Sequence, residues 1–165
     1  MISGKRVVCF HSPGEENDYL SNWYLCNFNF KNISYTSMEQ YMMHQKAILF
    51  NDTEIAEQIL NTSDFATIKA LGRKVRNFNQ NTWDDKKEAI VTSGLFCKFD
   101  QNSELKEKLL STGDDILAEC AVRDKIWGIG LSVYDNDRFN PNLWKGQNLL
   151  GKCLMEVRKM LSNHK

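Results

Sequence analysis

The sequence predicts an α+β fold, mainly α-helical with a small β element, in a single compact domain over 1–165. Three observations carry this. Up to Thr36 aromatic and β-branched residues alternate with polar ones. At Ser37 the apolar period lengthens from that of a strand to that of a helix. The final stretch, NLLGKCLMEVRKMLSN, is amphipathic along its whole length.

In chain order, RVVCFH reads as a strand, and CNFNFKNISYTS as a strand, a turn at Lys31-Asn32 and a second strand. SPGEENDYLSNWY, between them, has the Pro, Gly and Asn content of a loop. Ser37 with Gln40 three places on forms a capping-box pattern, and Met38, Tyr41, Met42 and Leu49 then mark one apolar stripe. Asp52 caps a second helix through about Leu60, and Ser63 or Asp64 a third that ends near Gly72. NTWDDKKEAIVTSGLFCKF is a longer helix with Thr82 as its cap and Trp83 in its first turn. SELKEKLLSTGD is another, stopped by Gly113. DILAECA and KIWGIGLSV return to strand-like patterning, and YDNDRFNPNLWKGQ is a polar loop. The closing helix is apolar at Leu150, Cys153, Leu154, Val157 and Leu161.

Composition narrows the function. The 165 residues are 42% hydrophobic and 25% charged, which suits a globular chain with one core. Twenty-one basic and 21 acidic side chains cancel, which argues against DNA binding driven by phosphate contacts. A local basic pocket for one or two phosphates remains compatible with that balance. No apolar run is long enough to span a bilayer and MISGKRVVCF lacks the core of a signal peptide, so no membrane partner is expected. The five cysteines, Cys9, Cys26, Cys97, Cys120 and Cys153, are scattered, with no C-x-x-C pair, and the three histidines lie far apart. Neither a disulfide framework nor a metal site is expected, no cofactor is indicated, and a reducing cytoplasm is the expected compartment.

Several residues are candidates for chemistry. Glu39 lies in the first turn of its helix, where unpaired N–H groups and the helix dipole favour an ionised carboxylate. Such a carboxylate can orient water or stabilise a developing cation, although a glutamate there also serves stability alone. Lys46, seven residues on, falls on the same face about 10 Å along the axis. That is too far for a helix-surface ion pair, yet both side chains can reach into one cavity. Trp23, Trp83, Trp127 and Trp144 each stand beside small, polar or charged residues, a setting that suits an indole stacked on a flat heterocycle as well as one used for packing. RDKIWGIG brings Arg123, Asp124 and Trp127 together, followed by Gly128 and Gly130, which permit close backbone approach. Asp124 is either a second pocket carboxylate or a turn former. The spacing fits neither a dinucleotide fingerprint nor a P-loop. Arg73 and Arg76, at a helix end, complement the dipole or bind phosphate.

Taken together, SNWY, YTSMEQYMMHQKA, LGRKV, Trp83, LLSTGD, the D-x-IWGIG run and the closing GQNLLGKCLMEVR resemble the NADAR (YbiA-like) family, over about Phe10 to Leu161. The resemblance implies a compact, mainly helical α+β fold and N-glycosidase activity, hydrolysis of the bond between ribose C1′ and nitrogen. It implies as partner a small-molecule nucleotide or an ADP-ribosylated substrate: phosphorylated riboflavin-pathway intermediates, or ADP-ribose attached to guanine. Nucleic acid would enter only as the modified substrate. Carried over by motif, Glu39 is the leading catalytic carboxylate, Asp124 and Trp127 match the D-x-x-W-G pair, and Lys46 matches a lysine of the same helix. Trp83 matches the tryptophan that opens the long helix. Asn22, Arg73, Gly128, Gln147 and Asn148 fall in family motifs as substrate-binding positions. One departure stands out. Many members carry tryptophan-proline ahead of the acidic motif and histidine after it, where this chain has Tyr35, Thr36 and Gln40, so substrate choice does not transfer from that subgroup. The alternative expectation is a module that binds ADP-ribose or a related nucleotide without cleaving it.

Overall fold

The computed structural model describes residues 4–163. Its elements run β1 (Val7–Phe10), β2 (Phe28–Phe30), β3 (Ile33–Tyr35), α1 (Met38–Leu49), α2 (Thr53–Leu60), α3 (Phe65–Arg73), α4 (Gln80–Asp100), α5 (Ser103–Ser111), β4 (Ile116–Glu119) and α6 (Leu149–Ser162). Short 3-10 helices lie at Asp18–Leu20, Asn136–Phe139 and Pro141–Leu143. The mainly helical α+β class is the predicted one. The chain forms two compact units, one of residues 25–101 and the other of the flanks that end at Tyr24 and resume at Asn102.

In the 25–101 unit, β2 and β3 are an antiparallel hairpin pairing Phe28 with Tyr35 and Phe30 with Ile33. Lys31 and Asn32 make its turn with φ of 49° and 66°, the left-handed pair that matches the twist of the flanking strands. Helix α1 starts where the Ser37 hydroxyl accepts the N–H of Gln40 at 3.1 Å. The predicted reciprocal half of the box is shifted by one residue, because Gln40 Oε1 accepts from the N–H of Thr36 at 2.8 Å. Asp52 and Asp64 cap α2 and α3. Helix α4 corrects the expected start: Asn79, not Thr82, is the cap, its Oδ1 accepting the Thr82 N–H at 3.0 Å. Asparagine is as good a cap as threonine, and a cap one turn earlier lengthens the helix.

Helix α1 was expected to show one apolar stripe, yet every residue from Met38 to His44 is buried, polar ones included. Tyr41 donates to the Ile90 carbonyl of α4 at 2.7 Å, and its ring lies 5.2 Å from Tyr35 and 5.9 Å from Phe28. Gly94 lets α4 come that close: a Cβ there would fall inside the Tyr41 ring. Tyr35 and His44 share a buried hydrogen bond of 2.8 Å, and burial pushes the His44 imidazole below its usual value.

In the other unit β1 and β4 form a parallel pair in register from Val7–Ile116 to Phe10–Glu119. Helix α6 lies on β4, and Gly151 permits it, since a Cβ there would meet the Leu117 carbonyl. KIWGIGLSV is not the strand its pattern suggests. Its alternation does mark burial, since Ile129 and Leu131 join Ala118 and Cys120 in a core cluster. Its backbone, however, makes isolated bonds: Ile129 donates to Glu119 and accepts from Lys145, each at 2.8 Å. The turn at Asp124 and the left-handed Gly130 (φ 74°) break any continuous ladder.

Candidate functional site

Glu39, Lys46, Arg73 and Trp83 belong to the 25–101 unit, and there the structure gathers them. Glu39, in the first turn of α1, is only 6% exposed. Two turns on, half-buried Lys46 donates from Nζ to the Gly72 carbonyl at 2.9 Å, at the end of α3. The same ammonium stands 4.6 Å from the ring centroid of Phe78 and 6.0 Å from that of Trp83, which is 7% exposed. Burial lowers the Lys46 pKa from its ordinary value; the positive charge of Arg73 lowers it further, while Glu39 pulls it upward. Lys46 is therefore not the solvated surface lysine that its residue type alone suggests.

The two arginines at the end of α3 part company. Arg76 binds buried Asp52 through its backbone N–H (2.9 Å), Nε (3.2 Å) and Nη2 (2.9 Å), which holds the Asp52 carboxyl far below the usual range. That engagement takes Arg76 out of the candidate site. Arg73 is exposed and its side chain makes no hydrogen bond or ion pair among the described residues, so its guanidinium is available beside Lys46. Phe78 and the Gly72 carbonyl were not singled out in the sequence. The only signal there was the LGRKVRNF segment itself, whose aromatic follows the arginines.

Gln40, the variant position, serves the frame. Its Nε2 donates to the carbonyls of Ile59 (3.2 Å), in the last turn of α2, and Thr62 (3.0 Å), just beyond it, and its Oε1 accepts from Thr36. One amide thus ties the start of α1 to the loop after α2.

Asn22, Asp124, Trp127, Gly128, Gln147 and Asn148 belong to the other unit. One oxygen of Asp124, Oδ1, accepts the N–H groups of Ile126 (3.0 Å) and Trp127 (2.8 Å). The turn-former alternative is thereby met, with half-buried Trp127 placed by that turn. Asn148, at the start of α6 with φ 54°, has its side chain engaged by β4, Oδ1 accepting from Glu119 (3.1 Å) and Nδ2 donating to Leu117 (2.9 Å). Gly128 is buried and its carbonyl accepts the Asn148 N–H at 3.0 Å; exposed Gln147 donates its N–H to Lys125 at 2.8 Å. Asn22 is 7% exposed, and its Oδ1 finds no hydrogen-bond partner. A buried acceptor left open in this way costs about 1–3 kcal/mol unless a donor reaches it. Trp144 proves to be a packing residue, its Nε1 donating to the Arg138 carbonyl at 2.8 Å.

This unit also holds a cavity of about 920 Å³, lined among others by Cys9, Tyr19, Lys108, Asp115 and Arg138. None of the sequence-predicted site residues lines it. All five cysteines are free. Among the described residues no group of three His, Cys, Asp or Glu side chains stands close enough to hold a metal ion, and no helix is long and apolar enough to cross a membrane.

A buried carboxylate at a helix start and a half-buried lysine that feels its charge thus stand on an α+β scaffold. The chain belongs to the NADAR domain family, whose family model matches residues 9–162. An N-glycosidase of Acanthamoeba polyphaga mimivirus is 42% identical over 93% of this chain and 95% of its own length. A riboflavin biosynthesis protein of Vibrio vulnificus is 31% identical over 97% of this chain, which covers 40% of that longer protein. The solution structure of the Escherichia coli protein YbiA superposes with a TM-score of 0.80 at 27% identity, covering 97% of this chain and 87% of that one.

Proposed function

We propose that this protein is an N-glycosidase that hydrolyses the ribose C1′–N bond of a phosphate-bearing, nucleotide-like substrate. The observation that carries the reading is the buried Glu39 carboxylate whose charge acts on half-buried Lys46, with Trp83 beside that lysine and an available Arg73 next to it. The names of the mimivirus and Vibrio relatives support it.

Breaking the C1′–N bond leaves positive charge on the ribose, as in the oxocarbenium-like step of glycoside hydrolysis. Glu39 stabilises that charge and takes a proton from the water that attacks C1′. The bonding pair leaves with the departing nitrogen, which takes its proton from the Lys46 ammonium; the lowered pKa of Lys46 makes it a stronger acid than an ordinary lysine. Arg73 binds a substrate phosphate and Trp83 walls the pocket. Asn22 and Trp127 are substrate-binding candidates of the other unit: the open Oδ1 of Asn22 can accept a donor and the Trp127 indole offers a stacking face. Asp124, Gly128, Gln147 and Asn148 build the D-x-x-W-G turn that carries Trp127. Phosphorylated riboflavin-pathway intermediates and ADP-ribose on guanine both contain the required ribosyl–nitrogen bond and phosphate. The free cysteines fit a reducing cytoplasm.

The test is release of free base, followed by chromatography, from ribosylated pyrimidine phosphates, ADP-ribosylated guanosine and ADP-ribosylated DNA. Glu39→Gln should keep the circular dichroism of the parent and lose at least about a hundredfold in turnover. Near-normal turnover in that variant removes Glu39 from the chemistry, and tight retention of every substrate without base release makes the protein a binding module.

A further inference from the structure

Cys9 opens onto the cavity of the unit formed by the two flanks, and it does not stand there alone. In the parallel β1–β4 register Cys9 faces Ala118, so Cys120, two residues on, projects from the same side of the pair. Both lie against the cluster of Ala118, Ile129 and Leu131. The Cys120 N–H continues the ladder past the end of β4 by donating to Phe10 at 2.9 Å. Cys9 lies near enough to Cys120 and to the Arg138 guanidinium for both to lower its pKa, while the Cys120 thiol donates to the Ala118 carbonyl at 3.9 Å. Arg138 is itself anchored. Its Nη1 donates to the Asp135 carbonyl at 2.8 Å, its guanidinium lies 4.0 Å from the Phe139 ring centroid, and its own carbonyl receives Trp144. Cys120 is 2% exposed, so the cavity reaches the pair through Cys9.

We propose that Cys9 is a site of oxidative modification, a thiolate nucleophile presented to hydroperoxides in this cavity, with Cys120 as its resolving thiol. The Cys9 thiolate attacks one peroxide oxygen and the O–O bond breaks. The departing hydroxide or alkoxide takes a proton, leaving Cys9 as a sulfenic acid with its sulfur oxidised by two electrons. Cys120 then gives up its proton and attacks that sulfur. The S–O bond breaks, water leaves, and a disulfide joins β1 to the end of β4. The contrast with the other half-buried thiols supports this. The Cys9 pKa is pulled down by neighbouring Cys120 and by Arg138, against burial and Glu16, whereas burial pushes Cys26 and Cys97 up.

The experiment uses the reduced, folded, full chain at pH 7. Iodoacetamide labelling read by peptide mass mapping should modify Cys9 about tenfold faster than Cys26 or Cys97. Arg138→Gln should slow Cys9 severalfold and leave the other two unchanged. Stoichiometric hydrogen peroxide should produce a Cys9–Cys120 cross-linked peptide lighter by two hydrogens, and in Cys120→Ser a sulfenic acid at Cys9 that dimedone captures. Labelling of Cys9 no faster than that of Cys26 and Cys97 overturns the nucleophile assignment. A wild-type sulfenic acid that persists without cross-linking overturns the role of Cys120.

Discussion

Glu39 and Gln40 are neighbours in the first turn of α1, both more than nine-tenths buried, and they serve different ends. Gln40 holds the frame through Thr36, Ile59 and Thr62. Glu39 was legible as a candidate because a helix start is a local pattern. The setting of Lys46 was not, since its partners, Gly72 and Phe78, come from a different helix and the loop after it. For Asp124 the sequence offered two readings, and hydrogen-bond geometry alone showed its turn. Lys46 also yields a pH prediction with a fixed sign. In the proton-donor role proposed for it, Lys46 is active when charged, so kcat/KM should fall as pH rises through its lowered pKa, below the ordinary lysine range. Arg73→Gln removes a neighbouring positive charge, raises that pKa and should move the alkaline limb to higher pH. With a phosphorylated substrate the same variant should raise KM about tenfold. An alkaline limb that stays in place would separate Arg73 from Lys46.

Helix starts at Ser37, Asp52 and Asp64 and the turn at Lys31-Asn32 were readable because each depends on a few adjacent residues. The strand expected at KIWGIGLSV failed for the converse reason. Alternation reports which side chains are buried, whereas a strand also needs a partner along its length, and the Asp124 turn denies it one. Gly94 makes the same point within a helix. Propensity alone favours alanine there by about 1 kcal/mol. Tyr41, held by the Ile90 carbonyl and by its neighbouring rings, leaves no room for the methyl group. Gly94→Ala should therefore destabilise the protein by a net of about 1–3 kcal/mol, measured as a lower urea midpoint. A raised midpoint would mean that α1 and α4 can separate slightly at no cost.

At the scale of the whole molecule, the 25–101 unit is continuous in sequence and the other is assembled from both flanks. Arg6 and Asp115, which meet at the start of the β1–β4 pair, are 109 residues apart. Closing so long a loop is entropically costly, so contacts inside 25–101 should form first. Pulsed hydrogen exchange during refolding should protect amides of α1 to α4 before those of Val7–Phe10; simultaneous protection would show one cooperative step. The same spacing bears on translation. Strand β1 must wait, its edge open, until the ribosome has made β4. A nascent chain stalled before Ile116 would thus expose an adhesive, unmated ribbon, the kind of surface that chaperones shield.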